Sequence, residues 1–523
     1  MTLLRLFALF FTSLLIGLPA QASTLRVASA FDPQTMDPHA IALLYHTRVV
    51  FQIYDGLVSR DAKFQLEPQL ATAWQTTAPT RWRFTLRRGV SFHDGAPFTA
   101  DDAVFSIERA MAAPSQRAFQ LKGVKAVRKL DSHTIEFETE QPDPVLPEKL
   151  LFIQIMNKAW AEKHGVQRAQ DFNGKQETFA VRNANGTGPY RLERYEPDVR
   201  TVLRRHAGYW GWGDARNGNV EQVNFVTIRS DATRLAALAS GEVDMVLDPP
   251  YQDINRLKAQ GNIALLQMAD IGQQYFAFDQ ARDELLDSDV KGRNPFKDVR
   301  VRRAVYHALN VPLIVDKVLR GQGVPTGGLL SPLVDGSPAE LDKRLPFDPA
   351  RARALLAEAG YPNGFGVTLD CVNVAWRENA CQAAAAMLTQ VGIRTTLRSS
   401  PSNQFFPKLS QGTGSFIEFG WSPGVDTYNN LNALFRTFDR SGLGTFNAGR
   451  YSNPKVDALI DNIRTEPDLT RRRAMTATVL RMLADDVAYV PLYRRTLTWA
   501  MARKVSAVQW PNDVLELRWV RVK

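Results

Sequence analysis

Residues 82–109, WRFTLRRGVSFHDGAPFTADDAVFSIER, narrow the folds open to this chain, because they set a strand directly before a capped helix. Trp82, Phe84 and Leu86 alternate with Arg81, Arg83 and Thr85, the period of a strand with one buried face. His93-Asp94-Gly95 supplies a turn, since glycine reaches positive φ without steric cost. Thr99 is placed to cap a helix whose first turn carries Asp101 and Asp102, acids that suit the positive helix end. Val104, Ile107 and Met111 share one helix face. The segment is therefore a mixed α and β unit.

A chain of 523 residues is too long for one hydrophobic core, so at least two lobes are expected. Residues 1–22 carry Arg5, an apolar run over 6–18 and Ala20-Gln21-Ala22, the pattern of a secretory signal peptide cleaved after Ala22. The alternative is an uncleaved anchor, for which the apolar run is short. No cysteine follows that run to carry a lipid, which points to a freely diffusing protein in the periplasm of a Gram-negative cell. The net charge of +10 raises nucleic acid as a partner. The basic residues are scattered, however, with Arg471-Arg472-Arg473 the only run of three, and no zinc-finger or basic-zipper spacing occurs. A solvated basic surface is the reading adopted, with no nucleic acid.

Strand and helix signals alternate along the rest. Residues 24–30 and 134–139 read as strands. Ser230 or Asp231 caps a helix that Gly241 stops, and a strand at 243–247 follows at once, which implies some parallel sheet. Asp348 caps, Pro349 opens and Gly360 ends a helix; strand 367–370, helix 378–391 and strand 393–397 come next, the order of an α/β sandwich. Cys371 and Cys381 are the only cysteines. In an oxidising compartment they suggest a disulfide, worth about 2–3 kcal/mol by loop closure. Two free buried thiols, or a metal site short of partner ligands, are the rivals. Gly186-Thr187-Gly188 lacks the lysine of a phosphate loop and the third glycine of a dinucleotide fingerprint, and reads as a tight turn.

Several strings resemble the solute-binding proteins of ABC importers for peptides and nickel, bacterial extracellular solute-binding family 5. They are residues 82–109, DPQTMDPH at 32–39, YDGLV at 54–58, PQLATAW at 68–74, GTGPY at 186–190 and NPFKDVRVRRAVYHALN at 294–310. The resemblance covers nearly all of the chain after residue 22. It implies an α/β, two-lobed periplasmic-binding-protein fold, type II-like (cluster C), with a hinge between the lobes. Lobe I is expected at 23–273 plus 497–523, with an extra subdomain inserted at about 51–186, and lobe II at 274–496. The resemblance also implies a monomer that hands peptides to a membrane ABC permease complex and needs no cofactor.

The candidate site lies where a strand ends at Gly420-Trp421 and a loop rich in Ser, Pro, Gly and Asp begins, because ligands of α/β sheets bind beyond strand ends. In peptide-binding relatives an Asp just past this step pairs with the ligand's α-amino group, a charge-assisted contact. Asp426 is the candidate for that role; the alternative is a turn-forming loop Asp. Trp421 is either an aromatic wall or a core tryptophan, and Tyr428 either a ligand contact or a surface tyrosine. Asn373, Trp376 and Arg377 follow Cys371, where relatives often place Asn, Arg and an aromatic; here the segment is shorter and Arg377 is displaced. Arg377 is expected either to meet a peptide carboxylate or to be solvated. Tyr45 and His46, just beyond the first cleft segment, complete the set, each either a ligand contact or a structural residue. No HExxH or GxSxG motif appears and the seven histidines never fall at ligand spacing, so no enzyme and no metal is expected. The reading is a peptide-binding protein; the alternative keeps the fold and binds a nickel chelate, haem or another non-peptide solute.

Overall fold

The computed structural model describes residues 23–424, 427–439 and 443–523; residues 1–22, read above as a signal peptide, and Asp426 lie outside them. The first lobe is built on a sheet with Thr24–Ser29 at its centre, parallel to Gln222–Thr227 on one side and Met245–Val246 on the other. Ser230 caps the helix Asp231–Ser240, which links those two neighbours, and Gly241 ends it at φ 79°. Antiparallel strands extend the sheet outward: Arg200–Arg205 and Tyr190–Glu196 on one flank, Tyr493–Ala502 and Ile263–Ala269 on the other.

Between residues 51 and 186 the chain forms a second, four-stranded antiparallel sheet in the order Ala71–Ala78, Arg81–Leu86, Thr134–Thr139, Val124–Asp131. Phe84 and Leu86 face its core with Phe137, and the helix Ala100–Met111 covers them through Ile107. Asp102 does more than suit the helix end, because its carboxylate accepts the Thr99 N–H at 2.9 Å. His93-Asp94-Gly95 clamps the 186–188 string. The His93 N–H donates to the Gly186 carbonyl at 2.9 Å, and Asn185 Nδ2 donates to Asp94 at 2.9 Å. Gly186 is there for close approach and not for a turn, since a Cβ would stand 2.0 Å from the Ile53 carbonyl oxygen.

Asp55 ties this insertion to the first lobe. Its buried carboxylate accepts from Gln69 Nε2 at 2.7 Å, Trp210 Nε1 at 2.9 Å and Thr187 Oγ1 at 3.0 Å. Burial pushes its carboxyl up to about 6, against the lowering pull of the Trp210 bond. A raised acid favours folding fully below its unfolded value of about 3.9, and that contribution is lost as pH rises through about 6. Each pH unit between the two points is worth about 1.4 kcal/mol. Asp55→Asn is therefore expected to flatten the fall in stability between about pH 4 and pH 6, read from denaturant midpoints of wild type and variant. An unchanged slope would show that Asp55 titrates alike folded and unfolded.

The second lobe is a three-layer sandwich. Its sheet runs Ile393–Ser400, Phe365–Val372, Phe416–Trp421, Gln273–Phe278, Tyr489–Pro491, the first three parallel to one another. Helices Val299–Ala308, Pro349–Glu358 and Ala375–Gln390 pack one face, with Val301, Val305 and Leu309 in that core. Thr427–Leu434, Pro454–Thr465 and Leu469–Asp485 pack the other. The chain passes between the two large sheets at 270–272 and again at Leu492. The crossings lie side by side: the Asp270 N–H donates to the Arg495 carbonyl at 2.8 Å, and the Leu492 N–H to the Gln274 carbonyl at 2.9 Å. A third strand, Gly323–Pro325, pairs with the first residues of Tyr493–Ala502. Two adjacent extended crossings are few enough for backbone rotation to swing one lobe against the other.

Candidate functional site

Strand direction locates the site. In the first lobe the parallel strands end at Ser29, Thr227 and Val246, on the side from which the chain leaves after Ala269. In the second lobe Ser400, Val372 and Trp421 end at the side where Gln273 enters. The carboxyl ends of both sheets thus meet across the crossings, the place where α/β sheets take ligands.

The second-lobe wall has an unusual opening. Phe365–Val372 and Phe416–Trp421 pair only at Leu369 with Phe416 and Asp370 with Ile417, then splay apart. From Glu418 to Trp421 the strand keeps its ladder to Gln273–Phe276 on the other side alone. Glu418 and Arg377 fill the splay. Arg377 Nε donates to Glu418 at 2.8 Å and an Nη at 2.6 Å, with both side chains buried. Burial pushes the Glu418 carboxyl up, against the opposing Arg377 charge. Arg377 is thus neither solvated nor free for a ligand carboxylate. A carboxylate 41 residues away in sequence already occupies its fork. Cys371 and Cys381 are joined in a disulfide with Cα atoms 6.7 Å apart, and the Cys371 sulfur lies 3.7 Å from Glu418. Their ligand atoms and that of Glu418 cluster within 4.8 Å, but sulfurs bonded to each other are not the thiolates a metal needs.

The remaining expected residues stand as follows. Gly420 is exposed at the strand end, and the Gln274 carboxamide fills the space its Cβ would take. Trp421 is half-buried; its Nε1 donates to Asn430 at 3.0 Å and its ring packs 5.2 Å from Phe446. The loop after it is shorter than its composition suggests, because Thr427–Leu434 is a helix held by buried Leu431 and Leu434. Tyr428, half-buried, sits in the first turn of that helix. Asn373 is exposed beyond its strand, its N–H bonded to the Ser400 carbonyl at 2.8 Å. Trp376 meets Tyr251 of the first lobe edge-on at 6.5 Å and Tyr493 at 6.4 Å, so it lies beside the crossing.

On the first-lobe wall, Tyr45 stacks on the exposed Phe31 at 5.3 Å over a shallow hollow that Ser29 and Arg48 also line. His46 is a correction to expectation. It is fully buried with Nε2 3.0 Å from the Asp37 carbonyl oxygen, and burial and Arg117 hold its imidazole down to about 3, so it offers a ligand nothing. The same interior fixes the cleft-side segment 32–39. Arg109 grips both oxygens of Asp37, at 2.8 and 2.6 Å, with both side chains wholly buried. Burial pushes the Asp37 carboxyl up, but the Arg109 charge and hydrogen bonds outweigh it and hold it well below the carboxylate range. Sequence reasoning missed Phe31, Tyr251, Phe446 and Glu418. Only Glu418 left a trace, as a charged residue inside the otherwise apolar FIEFGW strand.

The sequence profile of bacterial extracellular solute-binding proteins, family 5 (middle), matches residues 65–442. The glutathione-binding protein GsiB of Shigella flexneri serotype 5b is 25% identical over 506 residues, covering 95% of this chain and 93% of that protein. Heme-binding protein A of Haemophilus influenzae is 28% identical over 439 residues, covering 78% and 76%. Among solved structures, HbpA2 from Haemophilus parasuis superposes with a TM-score of 0.83 at 23% identity, covering 96% of this chain and all of that one. The unliganded open form of the murein tripeptide-binding protein MppA gives 0.81 at 21%, covering 96% and 98%. DppA from Helicobacter pylori in complex with the peptide STSA gives 0.69 at 23%, covering 96% and 98%.

Proposed function

Because the chain belongs to the bacterial extracellular solute-binding proteins of family 5, we propose that it captures short peptides in the periplasm by closing its lobes and delivers them to an ABC importer. The observation that carries the peptide reading is the strand end at Gly420–Trp421, which is laddered on one side only and reaches the cleft beyond the Arg377–Glu418 pair. An extended peptide binds such an edge through main-chain hydrogen bonds, which give affinity without demanding one sequence. Relatives named for glutathione and for a murein tripeptide, and a structure holding STSA, support it.

In this reading Asp426 receives the ligand's ammonium group, while Gly420, Trp421, Tyr428, Asn373, Trp376 and Tyr45 line the cleft and Arg377 positions its wall through Glu418. The leader 1–22 directs export. Mass spectrometry of the protein purified from periplasm, native and then denatured, tests the assignment. Release of a ladder of short peptides is expected; release of haem, a metal chelate or another single non-peptide mass overturns it. Asp426→Ala is expected to weaken peptide binding about tenfold or more with an unchanged melting temperature, by loss of a charge-assisted contact. Unaltered affinity would remove Asp426 from the site.

A further inference from the structure

Both walls of the cleft carry large apolar side chains turned toward solvent. On the first lobe Phe31, directly past the central strand, is 57% exposed and stacked on Tyr45. The helix bearing Tyr45 begins with exposed Leu44, and Phe119, 63% exposed, belongs to a segment bonded back to His39 through the Gln116 N–H. On the second lobe Phe446, 46% exposed, leans on Trp421 at the cleft end of Phe416–Trp421. Large rings this exposed at the strand ends of both lobes are surface that a bound partner would cover.

The charges at these strand ends are already matched. Arg48 pairs with Asp248 and Asp513, Arg495 with Asp270, and Arg377 with Glu418. Asp32 accepts the Tyr195 hydroxyl at 2.7 Å and the Asp198 N–H at 2.9 Å. A charged ligand side chain placed here would have to compete with partners already in position. An extended peptide leaving the strand end at Gly420–Trp421 presents successive side chains to opposite sides, and so to the two lobes in turn.

Resting on the peptide reading above, we infer that this site selects peptides whose side chains are bulky and apolar, with Phe31 on one lobe and Phe446 on the other as specificity-determining residues. Lobe closure then buries both walls against the ligand, and apolar burial supplies the preference.

The test is calorimetric titration of the mature protein, freed of ligand by unfolding and refolding, with alanine-based peptides of three to five residues carrying Phe, Lys or Glu at one internal position. The Phe peptides are expected to bind at least about tenfold more tightly than their Lys and Glu counterparts. Phe31→Ser and Phe446→Ser are each expected to shrink that ratio about threefold or more, with melting temperature unchanged because both rings are solvent-facing. Equal affinity for all three guests overturns the inference and leaves the peptide reading standing. A ratio untouched by both substitutions also overturns it. Failure of every peptide to bind, with hemin or a nickel chelate binding instead, overturns both.

Discussion

Arg109→Ala is expected to destabilise the first lobe by about 3–5 kcal/mol, the range for leaving one partner of a buried ion pair unmatched. The Asp37 carboxylate it abandons has no exposure to water. That carboxylate also accepts the His39 N–H at 3.0 Å and the Gln170 N–H at 2.9 Å, so the loss spreads to the segments on either side. Urea unfolding followed by fluorescence gives the change in midpoint. Hydrogen exchange at residues 32–39 and 166–170 shows whether the cleft-side segment loosens first, which matters because two lobes need not unfold as one transition. Replacing both partners, Asp37→Leu with Arg109→Met, is expected to recover much of the loss, since apolar replacement of a buried pair is often neutral. A single-variant cost below about 1 kcal/mol would show that water or another group reaches Asp37.

Glu418→Ala is expected to carry a penalty of the same order, about 3–5 kcal/mol, on the second lobe, because it strands the Arg377 guanidinium between splayed strands. It is also expected to weaken ligand binding about tenfold or more. Arg377 lies in the first turn of Ala375–Gln390, and its grip on Glu418 fixes Asn373 and Trp376 relative to the free strand edge. Thermal unfolding and ligand titration read the two effects separately. The variant Arg377→Met with Glu418→Met distinguishes them further: stability is expected to return while affinity stays low if the pair positions the wall. Affinity recovering along with stability would make the pair a packing element only.

Much of the local structure was legible because it is governed by neighbours a few residues apart. The alternation of Trp82, Phe84 and Leu86, the Thr99 and Ser230 caps, the Asp348-Pro349 start and the Gly241 stop each appear where periodicity and capping place them. Thr427–Leu434 was not legible. Its Thr, Tyr and Asn residues are poor helix formers, and the helix exists because Leu431 and Leu434 bury against the second-lobe core. Gly186-Thr187-Gly188 was noticed but misread, since its partner is the backbone at Ile53, more than a hundred residues earlier.

The candidate site divides in the same way. The position of Gly420-Trp421 at a strand end follows from the sequence, and so does membership of a family whose strings span the chain. The fates of Arg377 and His46 do not. A guanidinium is drawn alike to a ligand's carboxylate or the protein's own, and only the splayed strands bring Glu418 within 2.6 Å of it. An imidazole is a ligand contact or a core residue according to what covers it, and the Asp37 carbonyl and Arg117 come from separate elements. The amino-acid sequence by itself determined most of the elements, their caps and the two-lobed family, because these depend on short-range periodicity and backbone chemistry. Only the tertiary structure decided which charges are already satisfied and which apolar rings still face water, because pairing and burial are set by distances between residues far apart in the chain.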